Sequence, residues 1–139
     1  MDVEEGTISV DGHRVWYRRV GRDGIPLLVL HGGPGAGHDY LQPLEGLATG
    51  RSVVFYDQLG CGRSDQPVDW SLWRIERFVA EVGRVRDALG LKLIHLFGRS
   101  WGGLVGHRVH AEQPGRCGEP GAGQHLSKYS AVCGRKRPG

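Results

Sequence analysis

Ser100 stands in Gly98-Arg99-Ser100-Trp101-Gly102, between an apolar run and a segment of helical periodicity. A serine on a sharp turn from strand to helix presents its Oγ outward as a nucleophile. The free amides of the new helix then face the oxygen that takes up negative charge. Gly98 and Gly102, two before and two after, let strand and helix approach without collision. The five-residue pattern alone is weak; the strand before it and the helix after it give it weight. The competing interpretation is a glycine-rich turn with an idle serine.

A second glycine-rich segment, His31-Gly32-Gly33-Pro34-Gly35, follows the apolar run Pro26–Leu30. Its backbone could come close to a substrate carbonyl. Two amides would then meet the developing oxyanion, that of Trp101 and one from this loop, best placed at Gly33. Each such donor lowers a barrier by about 3–4 kcal/mol. A dinucleotide loop is excluded, because His38 stands where the third glycine would fall and Pro34 lacks an amide. No phosphate-binding G-x-x-x-x-G-K-[ST] pattern occurs either.

A third segment, Asp57-Gln58-Leu59-Gly60-Cys61-Gly62-Arg63-Ser64, follows the apolar run Ser52–Tyr56. Together with His31–Gly35 and Gly98–Gly103, it resembles the proline iminopeptidase family of α/β-hydrolases, in the family's motif order. The resemblance covers residues 6–114. It implies the N-terminal part of an α/β-hydrolase fold, without the cap domain and C-terminal strands. It also implies an enzyme that releases an N-terminal residue, typically proline, from short peptides. By this likeness Ser100 is the nucleophile and Gly33 and Trp101 supply oxyanion amides. His31, Gly32, Pro34, Gly35, Asp57, Gln58, Gly98 and Gly102 support the loops, and Asp57 is a brace rather than a proton relay.

A serine nucleophile needs a base. In this architecture the order along the chain is Ser, acid, His. After Ser100 the only carboxylates are Glu112 and Glu119, and the only distant histidine is His125. His107 and His110 lie on the helix leading away from the turn. The triad's acid and base are therefore expected to be absent from this chain, which alone would turn over little substrate. His31 and His38 are expected to bond within their loops, since a metal site needs more ligands. No metal and no cofactor is expected. Trp70, Trp73 and Trp101 read as packing, and Cys61 as a small apolar filler.

The elements that must hold these groups follow from periodicity. Gly6–Val10 and His13–Val20 read as a hairpin about Asp11-Gly12, a favoured two-residue turn. The runs at 26–30, 52–56 and 91–97 are apolar on both faces, as central parallel strands are. A short helix capped by Asp39 is expected to Leu47. Ile75, Phe78, Val79, Val82, Val85 and Leu89 recur at steps of three and four, giving a helix stopped by Gly90. Its polar face is expected to carry Glu76, Arg77, Glu81, Arg84 and Asp87. A last helix runs from about Trp101 to Glu112. The alternation predicts an α/β fold: an N-terminal hairpin and a mostly parallel sheet with helices on both faces.

The 139 residues divide by composition. Residues 1–114 carry 13 Lys and Arg against 14 Asp and Glu, and residues 115–139 carry five against one. The net charge of +3 thus comes from the last 25 residues. This tail has six glycines and no apolar periodicity, which predicts a disordered basic extension outside the domain of residues 1–114. The fold calls for a buried strand there. Codons can be chosen for 116–134 so that a reading frame one nucleotide later encodes an apolar run, which marks a frameshift as one origin of the tail. The strand ending at Ser100 would otherwise be left as an unpaired edge. Three basic residues at 135–137 without aromatics do not make a nucleic-acid site, and no run is long enough to span a membrane. Cys61, Cys117 and Cys133 form neither a metal spacing nor a disulfide framework. A cytoplasmic protein acting on a small peptide or amide is expected, with a separately encoded C-terminal half as the candidate partner.

Overall fold

The computed structural model describes residues 2–32, 37–99, 101–111 and 128–134, with backbone alone at 40, 70, 110 and 128–134. Strands β1 (Val3–Val10) and β2 (His13–Val20) pair antiparallel across Asp11-Gly12. Both turn residues have positive φ, 52° and 81°, the geometry that matches strand twist in a two-residue hairpin.

Strands β3 (Leu27–Leu30), β4 (Val53–Tyr56) and β5 (Leu93–Arg99) are mutually parallel in the centre of the sheet. Every residue of β3 and β4 is buried, which is why both segments are apolar without alternation. The sheet has six strands in the order β1-β2-β4-β3-β5-β6. From β3 the chain passes to β4 on one side, then to β5 on the other. The carboxyl ends of β3 and β5 therefore lie side by side where the winding reverses, with Leu30 opposite Gly98. Open α/β sheets bind ligands at such a point.

Helices α1 (Ile75–Leu89) and α2 (Trp101–Ala111) both cover one face. Phe78, Val82, Val85, Val105 and Val109 share a core there with Val10, Leu28, Leu30, Val54, Ile94 and Leu96. On the other face Val20, Leu27, Val29, Val53 and Phe55 lie under Leu41, Leu44 and Ala48. The cover on that side is the expected short helix, Asp39–Leu47, in 3₁₀ form. Pro43 lies inside it and lacks the amide that an α-helical ladder requires. His38, not Asp39, precedes the first turn and makes no side-chain cap.

Helix α1 keeps the predicted stripe and stop, with Gly90 at φ 69° donating its N–H to the carbonyls of Arg86 and Asp87. Its polar face departs from expectation. Arg77 and Glu81 are buried, as is Arg86, which donates to the carbonyls of Leu91 (3.1 Å) and Lys92 (2.7 Å) and so ties the helix end to the approach of β5. The expected disordered tail is also corrected in part. Residues Lys128–Gly134 form β6, antiparallel to β5 from Leu93↔Gly134 to Arg99↔Lys128. The backbone groups of β5 that would have lined an open edge are paired, and the sheet is mixed. The rest of the tail lies outside the described residues.

Candidate functional site

Strand β5 ends at Arg99 and α2 begins at Trp101, so one residue separates the strand from the helix. Ser100 lies outside the described residues, as do Gly33, Pro34 and Gly35. Their described neighbours pack closely. A Cβ at Gly98 would collide with the carbonyl of Gly102 and stand 2.8 Å from the amide of Gly103. A Cβ at Gly102 would collide with the carbonyl oxygen of Leu30 and lie 2.6 Å from that of His31. No side chain fits at either place. The start of α2 thus rests directly on the backbone at the end of β3, which is why glycine occupies both positions.

A chain of hydrogen bonds crosses the same junction. His31 is fully buried. Its Nδ1–H donates to the carbonyl of Gly32 at 2.6 Å, while its Nε2 accepts the amide N–H of Gln58 at 2.9 Å. That pattern requires the neutral ring. Burial holds the His31 pKa below the usual histidine value, against the hydrogen bond to Gly32 and the nearby Asp57 carboxylate. The Gln58 side-chain amide donates to the carbonyl of His31 at 2.9 Å and accepts from Trp101 Nε1–H at 3.1 Å. The Trp101 ring meets Phe78 of α1 edge-on, with centroids 5.5 Å apart.

Asp57 is 1% exposed and joins the loops that follow β3 and β4. Its Oδ1 accepts from the amide and the ring Nδ1 of His38, both at 2.8 Å, and its Oδ2 accepts the amide of Arg63 at 2.9 Å. Gly62 packs so closely that its missing Cβ would stand 2.7 Å from Asp57 Cγ. Ser64 Oγ donates to the carbonyl of Asp57 and accepts the amide of Trp16 at 2.9 Å. Burial opposes ionisation of Asp57, but the His38 ring bond, the Arg63 amide and the His38 amide outweigh it and hold the carboxyl below its usual range.

Glu81, like Arg77, falls on the polar face by periodicity and is buried. It lies beneath the loop after β4, where Oε1 accepts the amide of Leu59 at 3.1 Å and Arg77 Nη2 at 3.3 Å. Its Oε2 and the hydroxyl of Tyr56 have no hydrogen-bond partner among the described residues. Burial raises the Glu81 pKa to about 7, although Arg77 and the Leu59 amide pull it down. Its i, i+4 spacing from Arg77 is the one signal that marked it, and that spacing is equally common on exposed helix faces.

The other expected residues fall into place around these. Trp73 packs on Phe78, with centroids 5.7 Å apart, and against Gly60, whose φ is 88°. Cys61 is buried. His107 is exposed on α2. Among the described residues no group of three or more His, Cys, Asp or Glu could hold a metal, and no helix is long and apolar enough to cross a membrane.

The arrangement has counterparts. Residues 25–119 match the model of the alpha/beta hydrolase fold family. The chain belongs to that family. Over 100 residues this α/β-hydrolase chain is 49% identical to a proline iminopeptidase of Heyndrickxia coagulans, covering 70% of the chain and 35% of the relative. It superposes on the crystal structure of the Mycobacterium smegmatis proline iminopeptidase with a TM-score of 0.75 at 36% identity, covering 81% of this chain and 40% of that one. An epoxide hydrolase of Vigna radiata gives 0.72 at 26% identity, covering 81% of this chain and 36% of that one. The chain spans about a third of the length of the curated relatives it matches. The likeness to proline iminopeptidases expected from three motifs therefore holds, for the N-terminal part of the α/β-hydrolase fold.

Proposed function

We propose that Ser100 is the nucleophile of a serine hydrolase of the proline iminopeptidase type. In this reading Oγ attacks the carbonyl of the N-terminal residue, its proton passes through a base to the leaving amine, and the C–N bond to the next residue breaks. Water then hydrolyses the acyl-enzyme. The amides of Gly33 and Trp101 hold the oxyanion. Acid and base come from outside these 139 residues, because positions 101–139 offer only Glu112, Glu119 and three histidines without a strand-end setting. A cytoplasmic location and a small peptide or amide substrate belong to the same reading.

One observation carries it. The glycines on either side of position 100 leave no room for a Cβ: Gly98 packs on the backbone of Gly102 and Gly103, and Gly102 on the carbonyls of Leu30 and His31 at the reversal point of the sheet. An idle turn needs no such contact. The test is labelling of the chain with a fluorophosphonate. Adduct at Ser100, abolished by Ser100→Ala, is the expected result; a folded chain that takes no label even with the C-terminal half of a relative present overturns the assignment. Supplying the C-terminal half of a relative should then give turnover of a proline naphthylamide in preference to a simple ester. A preference for the ester would instead mark another ester or amide hydrolase.

A second reading rests on β6. The strand beside β5 runs antiparallel and comes from the basic tail. A non-catalytic fragment, or a half-enzyme awaiting a partner, would close its sheet in this way. A chain that takes no label alone but does so with a C-terminal half present would favour the half-enzyme.

A further inference from the structure

We propose that Gln58 is a positioning residue: its side-chain amide clamps the end of β3 at His31 to the indole of Trp101, and so sets the spacing between the two backbone donors of the oxyanion site. This rests on the proposed role of Ser100 and extends it to a residue that touches no reacting atom.

Three contacts define the clamp. The Gln58 amide NH₂ donates to the His31 carbonyl at 2.9 Å, and its oxygen accepts from Trp101 Nε1–H at 3.1 Å. The Gln58 backbone N–H binds His31 Nε2 at 2.9 Å. Gln58 is 1% exposed, so these bonds do not compete with bulk water. One end of the clamp sits two residues before Gly33, and the other sits on the residue whose own amide is the second donor. Only a carboxamide supplies a donor at one end and an acceptor at the other. Glutamate keeps the acceptor but faces the His31 carbonyl with a second oxygen; leucine keeps the volume and offers neither.

The third contact makes the clamp conditional. His31 Nε2 accepts a proton from Gln58 N–H, so a protonated ring cannot keep that bond. The groups facing His31 are the Asp57 carboxylate and the ring of His38. Acid should therefore loosen the end of β3 before it unfolds the sheet.

The test uses the whole chain with Gln58→Leu, Gln58→Glu and Trp101→Phe. Fluorophosphonate labelling at Ser100 should slow about tenfold to a hundredfold in each Gln58 variant, the loss that follows a misplacement of about 1 Å. Combining Gln58→Leu with Trp101→Phe should slow it no further than the worse single change, because both break one bond. Independent, multiplying losses would overturn the proposal. A separate readout stands if the wild-type chain takes no label either alone or with a C-terminal half, which removes the nucleophile assignment but not the clamp. The Trp101 indole N–H should be protected from hydrogen exchange in the wild type and lose at least tenfold of that protection in Gln58→Leu. Should Gln58→Leu fail to fold, Gln58→Met, which also lacks the oxygen that accepts from the indole, gives the same readout. Unchanged protection in a folded variant sinks the clamp.

Discussion

Glu81 and His31 are both buried, and their shifts act in opposite directions on the pH dependence of stability. The Glu81 pKa is raised from 4.5 to about 7, so the folded state holds a proton that the unfolded state has released across that window. Its contribution is present below 4.5 and lost as pH rises through about 7. His31 is depressed instead; its contribution is complete above about 6.5 and is lost as pH falls through its folded value. A plain melting profile would mix the two. Glu81→Gln keeps an oxygen for the Leu59 amide and removes the titration. Relative to wild type it should gain on the order of 2 kcal/mol between pH 5 and pH 8, measured by denaturant unfolding at both values. An identical difference at the two pH values would mean that Glu81 is ionised throughout. Sequence could not show this. The stripe Phe78-Val82-Val85 locates the core side of α1, but burial of Arg77 and Glu81 depends on a loop 22 residues away in the chain, through Leu59.

Among the elements, the strand-to-helix turn was the most legible. Gly98, Ser100 and Gly102 between an apolar run and a helical stretch specify the junction; the helix starts at Trp101 where the pattern put it, while β5 runs two residues past the expected Phe97 to Arg99. The segment at Asp39–Leu47 was less so, because Pro43 tips a marginal helix toward 3₁₀ geometry and no distant residue announces it. The turn also gives a sharp prediction. Gly98→Ala and Gly102→Ala each force a Cβ into backbone and should cost roughly 2–3 kcal/mol or more, read as a fall in melting temperature. Gly46→Ala, with nothing within 4 Å of its new methyl, should leave the melting temperature nearly unchanged. A Gly102→Ala protein as stable as wild type would remove the close contact with β3.

For the molecule as a whole, β6 decides how the sheet ends. Composition argued for a tail without structure, since 115–139 has little apolar mass; what composition does not register is the row of unpaired backbone groups that β5 would otherwise present. Seven residue pairs join β5 to β6, from Leu93 to Arg99, and Ala131 faces Leu96 near the middle. Ala131→Pro removes one amide and constrains the strand. It should expose the edge of β5 and raise light scattering at micromolar concentration within hours. A monomeric, unchanged solution would show that the pairing with β6 contributes little.

The contact between Gly102 and the β3 carbonyls also bears on how such a chain can change. The floor where α2 meets β3 is bare main chain, with Gly98 and Gly102 unable to accept even a methyl group. A mutational library there offers selection nothing to act on. New preferences for one acyl group over another must be written in side chains that hang over this floor from other segments, while the floor passes unaltered from one specificity to the next.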